Sequence, residues 1–312
     1  MRKLLILAVV QALGGLLAAE PAAAAFPGRP GKIVFSRSGN GSFPSNADIW
    51  TASRSGKQRR LTRTPAADET SPVYSPNGRL IAFVRRKSAD ADIWVMRADG
   101  SRQRQITAGD QDEFQPAFYP SGQSILFTRF DGSRGWTVFS IRLRGASNEK
   151  LQIRNATFPI VSPNGRWLAY TRVNGNEGGI RARNMRTGHI RHLTTGSAQQ
   201  LDFAPNSRRI VFTGQRFCRD AGDRVRLRFV ILTIGLHDDG PRKICPGGGE
   251  SISPAWSPTG RKIVFARKKL AARGADLRFR LGMLFPNGAP AGGAPHHRQG
   301  TNELDPSWQP LR

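Results

Sequence analysis

The sequence predicts an all-β protein, a six-bladed β-propeller whose blades are four-stranded antiparallel sheets. Three observations predict it: a strand–turn–strand motif that recurs at the length of one blade, turn residues between apolar runs, and two incomplete blade fragments near the ends. A linear solenoid is the rival architecture, but it needs polar caps at both ends, and the complementary fragments argue against it.

A twelve-residue motif carries the repeat. It reads PVYSPNGRLIAF at 72–83, and four further copies begin at residues 116, 159, 201 and 254, so the spacings are 44, 43, 42 and 53 residues. Each copy combines a short strand A, a turn with proline at its second position, and an apolar strand B. Such a spacing is the length of one four-stranded blade.

Two further strand signals complete each blade. Asp-Ile-Trp runs at 48–50 and 92–94 predict the third strand, C, and Leu/Ile-Thr pairs at 61–62, 106–107 and 193–194 mark the fourth, D. Turn residues lie between them. Each predicted blade therefore runs A, B, C, D along the chain.

The chain ends supply the two parts of one more blade. PSWQP at 306–310 is a strand A with no strand B after it, and KIVF at 32–35 is a strand B with no strand A before it. We expect the C-terminal strand A to join the N-terminal strands B, C and D. This pairing closes the ring and leaves no open sheet edge.

The N-terminus has the pattern of a signal peptide. Two basic residues precede the apolar segment 4–17, and alanines at 22–25 supply the small residues that signal peptidase requires. We expect cleavage close to the bond between Ala25 and Phe26, which gives a signal peptide over 1–25 and a propeller over 26–312. Fourteen apolar residues are too few to span a bilayer comfortably, so no transmembrane segment is predicted. The expected product is a soluble, monomeric protein of the periplasm, cell envelope or extracellular space.

The two cysteines, Cys218 and Cys245, are expected to form one disulfide, because an exported chain meets oxidising conditions. The loop that they close would contribute about 3–4 kcal/mol in the chain-entropy model. The alternative is two separate buried thiols.

The composition is strongly basic, with a formal net charge of +26 and 39 arginines among 48 basic residues. One explanation is an arginine-rich coding bias spread over solvated strand faces. The other is attraction to an anionic partner such as nucleic acid, an acidic polysaccharide or a membrane surface.

The SPNGR and SPTGR turns, the DIW strands and the LT blade ends resemble the repeats of TolB-like, WD-type β-propellers over about residues 31–310. The resemblance covers the propeller alone, since no counterpart of the N-terminal α/β domain of TolB precedes the first blade. It implies the propeller fold, export and protein binding in the cell envelope.

Motifs for catalysis are absent from the sequence. It contains no Gly-x-Ser-x-Gly elbow, no P-loop and no HExxH helix, so we expect no catalytic residue, no cofactor and no metal. Residues 110–113, DQDE, begin like a calcium loop but lack its glycine and its twelfth-position glutamate. A carbohydrate lyase or hydrolase with its site at the channel mouth remains as an alternative, on analogy of fold alone.

Two sets of charged residues are candidates for partner binding on the face that carries the B–C and D–A loops. Four carboxylates precede the strand A proline by three or four residues: Glu69, Glu113, Glu250 and Glu303. They would either form a negative ring at the channel mouth or accept hydrogen bonds from their own loop backbone. The basic candidates lie in the B–C loops: Arg85, Arg86, Lys87, Arg216, Arg219, Arg224, Arg267, Lys268 and Lys269.

The predicted function is a non-enzymatic scaffold that binds an envelope protein through this loop-rich face. The alternative is a binder of an anionic polymer, an acidic glycan or nucleic acid, through the basic B–C loops.

Overall fold

The computed structural model describes residues 25–39, 46–87, 90–132, 135–144, 149–173, 178–219, 225–244, 249–269, 278–295 and 301–311, apart from the side chains of Arg219 and Lys269. These residues form 23 β-strands in six antiparallel sheets. The predicted six-bladed propeller is therefore confirmed. Within the described ranges, no helix has the length and apolar character that crossing a membrane requires.

The strands follow the predicted order A, B, C, D. Blade 1 contains β1 (Arg29–Gly39), β2 (Asp48–Ala52) and β3 (Gln58–Arg60). Blade 2 contains β4 (Ala67–Tyr74), β5 (Leu80–Lys87), β6 (Asp90–Arg97) and β7 (Arg104–Gln105). Blade 3 contains β8 (Asp112–Phe118), β9 (Ser124–Asp131), β10 (Gly135–Arg142) and β11 (Lys150–Arg154).

The second half of the ring has the same plan. Blade 4 contains β12 (Ala156–Val161), β13 (Trp167–Arg172), β14 (Gly179–Asn184) and β15 (Ile190–His192). Blade 5 contains β16 (Ala198–Phe203), β17 (Arg209–Arg219), β18 (Val225–Gly235) and β19 (Arg242–Lys243). The described part of blade 6 contains β20 (Gly249–Trp256), β21 (Ile263–Lys269) and β22 (Arg280–Leu284), and Leu284 forms an outer bridge with Pro290.

The last strand, β23 (Thr301–Leu311), closes the ring by pairing antiparallel with β1. Ile33 lies opposite Trp308, and Val34 lies opposite Ser307. The terminal fragments are thus parts of one sheet, as the sequence predicted. Strand β23 also contacts β4 and β20, the innermost strands of the two neighbouring blades.

The A–B turns have the geometry that their sequence predicts. In blade 2 the Ser75 carbonyl accepts a hydrogen bond from the Gly78 amide at 2.8 Å, and the Ser75 hydroxyl accepts one from the Leu80 amide at 3.0 Å. Gly78 has a φ of +66°, a region that favours glycine. Each such turn therefore satisfies its own backbone groups and directs strand B back along strand A.

Every innermost strand contains a bulge, and one residue of each bulge has a left-handed φ between 51° and 58°: Ser71, Gln115, Phe158, Gln200, Ser253 and Asp305. These bulges link neighbouring blades. The Gln115 Oε1 accepts the Phe158 amide at 2.7 Å, the Gln200 Oε1 accepts the Ser253 amide at 2.9 Å, and the Ser253 hydroxyl donates to Asp305 at 3.1 Å. Hydrogen bonds between blades thus hold the strained backbone in place.

The core lies between the blades. The last residue of each strand B motif is a buried aromatic side chain: Phe35, Phe83, Phe127, Tyr170, Phe212 and Phe265.

The threonines of the Leu/Ile-Thr pairs that end the blades form hydrogen bonds with strand C. The hydroxyls of Thr62 and Thr107 accept hydrogen bonds from the amides of Ile49 and Ile93 at 2.8 and 2.9 Å. These hydrogen bonds connect the end of the blade to strand C in blades 1 and 2.

Candidate functional site

The B–C and D–A connections lie at one end of the propeller, which we call the loop-rich face. The Ala47 amide, at the end of a B–C connection, donates to Asp68 at 3.0 Å, and the Ala47 carbonyl accepts the Glu69 amide at 2.7 Å. Ala91 makes the equivalent contact with Asp112 at 3.0 Å. The described ends of the B–C connections in blades 1 and 2 thus pack against the innermost strand of the next blade.

Three of the four predicted carboxylates are fully buried in ion pairs. Glu69, Glu113 and Glu303 lie on strand A, each directly opposite an arginine of strand B in its own blade. The separations are 2.9 Å for Glu69–Arg85, 2.8 Å for Glu113–Arg129 and 2.5 Å for Glu303–Arg37. The three pairs occupy consecutive blades of the ring.

Each arginine of these pairs also stacks on an aromatic side chain of strand C. The guanidinium carbons of Arg37 and Arg85 lie 4.5 and 4.2 Å from the rings of Trp50 and Trp94. That of Arg129 lies 4.8 Å from the ring of Phe139. A third partner lies on or directly before strand D, since Gln58, Gln103 and Glu149 accept hydrogen bonds from the same arginines. A single arginine on strand B therefore connects strand A, strand C and the start of strand D in its blade.

Burial changes the protonation behaviour of these carboxylates. Removal from water raises the pKa of Glu69, against the opposing effects of Thr62, Thr64 and Arg85. Burial also raises the pKa of Glu113 to about 7, although Arg129 and Thr107 favour its charged form. Thr107 belongs to the preceding blade and donates to Glu113 at 2.9 Å, so the carboxylate also joins two blades.

The carboxylates therefore do not form an exposed negative ring, which corrects that expectation. The carboxylates of Glu69, Glu113 and Glu303 face the blade interior because arginines of their own sheets compensate them. Glu250 is half-buried on β20 opposite Lys268, one residue before the equivalent position, which Ser251 occupies opposite Arg267. In blades 4 and 5 that position holds alanine.

The basic candidates divide into different environments. Arg85 is buried in its pair, Arg86 lies 3.3 Å from Asp112, and Lys87 is exposed. Arg216 is exposed, whereas Arg267 and Lys268 are half-buried. Arg219 and Lys269 end strands β17 and β21, but their side chains lie outside the description, as does the whole of Arg224. Part of the predicted basic surface is therefore neutralised within the fold.

The sequence did not lead us to predict a long hairpin in blade 5. Arg216, Arg219 and Arg224 are predicted to lie in a B–C loop, but β17 and β18 each have 11 residues and pair from Arg209–Gly235 as far as Arg219–Val225. Strands β5 and β6 have eight residues each. The alternation of apolar and basic residues at 225–230, VRLRFV, is the period-two signal that could have shown it.

The end of this hairpin exposes large apolar side chains. Phe217 is 74% exposed, Val225 56% and Leu227 51%. Phe217 lies directly opposite Leu227, and Val225 shares their side of the sheet because strand residues two apart point the same way. The other side carries Arg216 opposite Arg228 and Cys218 opposite Arg226. We call Phe217, Val225 and Leu227 the hairpin patch.

The disulfide remains a prediction because Cys245 lies outside the described residues. Cys218 is half-buried, and its Sγ lies 3.3 Å from the Lys243 Nζ. Lys243, which precedes Cys245 by two residues in the sequence, lies on β19 of the same blade.

The residues that the sequence compared with a calcium loop have structural partners. Asp112 accepts the Ala91 amide and lies near Arg86, and Glu113 pairs with Arg129. Across the described ranges, no group of three or more His, Cys, Asp or Glu side chains is placed to hold a metal ion. An open cavity of about 540 Å³ lies on the opposite face, between blades 4 and 5, lined by Arg166, Arg208, Arg209 and His237 among others.

Known structures share this fold. TolB from Acinetobacter baumannii has a TM-score of 0.69 at 19% identity, over 97% of this chain and 70% of that chain. A protein described as TolB from Agrobacterium tumefaciens has a TM-score of 0.61 at 16% identity, over 91% of this chain and 100% of that chain. A chain of a nidogen/laminin complex has a TM-score of 0.64 at 11% identity, over 89% of this chain and 98% of that chain. Identities this low show the fold alone.

The sequence comparisons give the family. No curated protein matches the chain significantly. The family model of the tricorn protease N-terminal β-propeller domain matches residues 40–200, just over half of the chain. Together with the TolB structures, this match confirms the predicted TolB-like propeller. The chain belongs to the family of the tricorn protease N-terminal β-propeller domain.

Proposed function

We propose that this protein is an exported, monomeric, non-enzymatic scaffold that binds another protein of the cell envelope through its loop-rich face. The hairpin patch is the observation that carries the proposal, because it exposes Phe217, Val225 and Leu227 near the described end of a paired β-ribbon. Loops and hairpins on a rigid scaffold are where binding residues concentrate. The predicted signal peptide supports the export part of the proposal.

The chemistry of the hairpin matches a protein interface. Complete burial of an exposed Phe, Leu or Val side chain stabilises a complex by roughly 1.5–3 kcal/mol. Arg216 is exposed on the other side of the same hairpin, and arginine and aromatic residues are enriched in interfaces. The proposed partner therefore offers an apolar pocket with a carboxylate-rich rim.

A binder of an anionic polymer is the second candidate, supported by the net charge of +26. Two of the arginines that it requires have carboxylate partners within the fold: Arg85 is paired with Glu69, and Arg86 lies beside Asp112. This candidate predicts binding to a sulfated or carboxylated polysaccharide that weakens steeply between 50 and about 200 mM salt. Binding that is insensitive to salt would eliminate it.

The test of the first candidate compares two double variants. Phe217→Ser with Leu227→Ser removes the hairpin patch, whereas Leu151→Ser with Ile190→Ser removes two similarly exposed apolar side chains on the outer strands of blades 3 and 4. Both proteins, and the wild type, are immobilised and exposed to envelope extract with a cross-linker. We expect the hairpin variant to lose a partner that the control variant retains. Equal recovery of every captured protein by both variants would refute the proposed face.

A further inference from the structure

The first two described residues are buried in the propeller. Ala25 belongs to an apolar cluster of blades 5 and 6 that includes Ile231 and Trp256. Phe26 belongs to the large core cluster that includes Phe203. The Ala25 amide donates a hydrogen bond to the Phe203 carbonyl at 3.0 Å. Ala25 and Phe26 therefore lie inside the fold rather than on its surface.

A buried carboxylate lies next to this amide. Asp202 immediately precedes Phe203 on β16 and is fully buried. Its Oδ2 accepts the Trp256 amide at 2.5 Å, whereas its Oδ1 has no partner of good hydrogen-bond geometry among the described residues. Burial raises the pKa of Asp202 well above its usual range, and the amides of Trp256 and Ala25 oppose this shift. A buried carboxylate with so few partners is costly.

This aspartate departs from the repeat. The same position, the second before the A–B turn, holds an uncharged residue in each of the other five blades: Val73, Ala117, Ile160, Ala255 and Ser307. The hydroxyl of Ser307 receives the Tyr74 amide at 3.4 Å, so the position points toward the next blade. Four of these five residues are apolar, so the position does not require a polar side chain, and the carboxyl group of Asp202 calls for a separate explanation.

We infer that the signal peptide is removed between Ala24 and Ala25, and that the new α-ammonium group of Ala25 forms a buried ion pair with Asp202. In this hydrolysis water adds across the peptide bond, the C–N bond breaks, and the carboxylate leaves with Ala24. The amine of Ala25 takes up a proton and becomes the cation. The inference rests on the export part of the proposed function and is independent of partner binding.

The structure distinguishes two cleavage bonds that the sequence leaves equivalent. Cleavage after Ala24 has Ala22 and Ala24 at the small-residue positions, and cleavage after Ala25 has Ala23 and Ala25, so both satisfy the signal peptidase pattern. Cleavage after Ala25 would remove the group that bonds Phe203. Cleavage after Ala24 keeps that bond and adds two N–H donors and a positive charge beside the carboxyl group of Asp202.

The ion pair makes processing a late step in folding. Before cleavage, residue 25 offers one amide hydrogen, and Asp202 remains a buried carboxylate without a cation. After cleavage, the ammonium group of Ala25 compensates the charge of the Asp202 carboxylate and supplies the additional N–H donors. The mature propeller is thus more stable than its precursor, as expected for a chain that must cross a membrane unfolded.

The first experiment identifies the N-terminus of the protein recovered from the exported fraction by intact mass and N-terminal sequencing. We expect the chain to begin at Ala25. A chain that begins at Phe26 would overturn the inference. Absence of the protein from the exported fraction would refute the export part of the proposed function, and the next experiment would then decide the ion pair by itself.

The second experiment uses purified proteins released from a cleavable fusion, one beginning at Ala25 and one at Ala24. The extra alanine displaces the ammonium group by one residue and changes nothing else. We expect the longer protein to unfold at a temperature lower by about 5 °C or more. In the Asp202→Ala background, which matches blades 3 and 6 at this position, the difference should vanish. Equal unfolding temperatures of the two proteins with Asp202 present, or the same difference between them in the Asp202→Ala background, would overturn the ion pair.

A chemical readout remains decisive if Asp202→Ala does not fold. The α-amine of the protein that begins at Ala25 is treated with an amine-reactive reagent at pH 8. We expect it to react at least tenfold more slowly in the folded protein than after unfolding, whereas the protein that begins at Ala24 reacts readily in both states. Equal reactivity of the two folded proteins would overturn the proposal.

Discussion

Glu69 and Arg85 face each other across strands β4 and β5, fully inside blade 2, with 2.9 Å between Oε1 and Nε. The same relationship recurs in blades 1 and 3. In blades 4, 5 and 6 the position of the glutamate holds Ala156, Ala198 and Ser251. Among the described residues, these buried Glu–Arg pairs thus lie in one half of the ring, blades 1 to 3. The exposed hairpin patch belongs to the other half.

Removal of one carboxylate from these pairs should strongly destabilise the propeller. Glu69→Ala leaves the Arg85 guanidinium buried and without its carboxylate. We expect the free energy of unfolding at pH 8 to fall by about 3–5 kcal/mol. Urea denaturation followed by tryptophan fluorescence measures the change.

Glu149→Ala is the matched control, because Glu149 pairs with Arg129 at 2.7 Å but is partly exposed. Water replaces an exposed carboxylate readily, so this change should lower stability by about 1 kcal/mol or less. Similar losses for the two variants would contradict the interpretation that burial makes the inner pair important.

The raised pKa of Glu113 predicts that stability depends on pH. Its pKa in the folded state is about 7, against an ordinary value of 4.5, so the folded state binds this proton more tightly. The stabilisation is fully present below pH 4.5 and is lost as pH rises through 7. Glu113→Gln does not titrate there. We expect the wild type to lose on the order of 3 kcal/mol at most, relative to Glu113→Gln, between pH 5 and 8.

Denaturation curves of both proteins at several pH values measure this difference. A constant difference between the wild type and Glu113→Gln across that range would show that Arg129 keeps Glu113 ionised throughout.

The sequence predicted the ring because its signals are local and repeated. Proline and glycine determine the A–B turns, and the alternation of apolar and polar residues determines the strands. The number of blades and the closure of the ring at Trp308 could therefore be predicted. The Glu–Arg pairs were not predicted, because Glu69 and Arg85 become opposite only through the register of a bulged strand pair. The hairpin patch was missed because charged residues near Phe217 suggested a loop, although its strand alternation was readable.

The disulfide prediction is testable by counting thiols. Cys218 lies on the hairpin that carries the proposed binding patch, so a bond to Cys245 would fix that hairpin to its own blade. We expect the exported protein to show no free thiol when it is unfolded without reductant. Reduction, or the Cys218→Ser variant, should lower the free energy of unfolding by about 2–4 kcal/mol. Two thiols per chain in the unfolded protein would contradict the prediction.

Ring closure predicts different outcomes for two glycines that share one conformation. Gly78 and Gly165 occupy equivalent A–B turns, with φ of +66° and +72°. A Cβ at Gly78 would collide with the Pro310 carbonyl oxygen of the closing strand, whereas a Cβ at Gly165 meets open space. Alanine at Gly165 should therefore cost about 1 kcal/mol, from backbone strain alone. Alanine at Gly78 should cost a further 1–3 kcal/mol, because the closing strand must shift.

Urea denaturation of Gly78→Ala and Gly165→Ala measures the two losses, and a third protein truncated before residue 301 shows the effect of removing β23. Because the two glycines share their backbone strain, the excess loss in Gly78→Ala reports on the contact with the closing strand. Equal losses would mean that β23 does not press on this turn in solution. In that case the closure seen between Ile33 and Trp308 would have to be held by strand pairing alone.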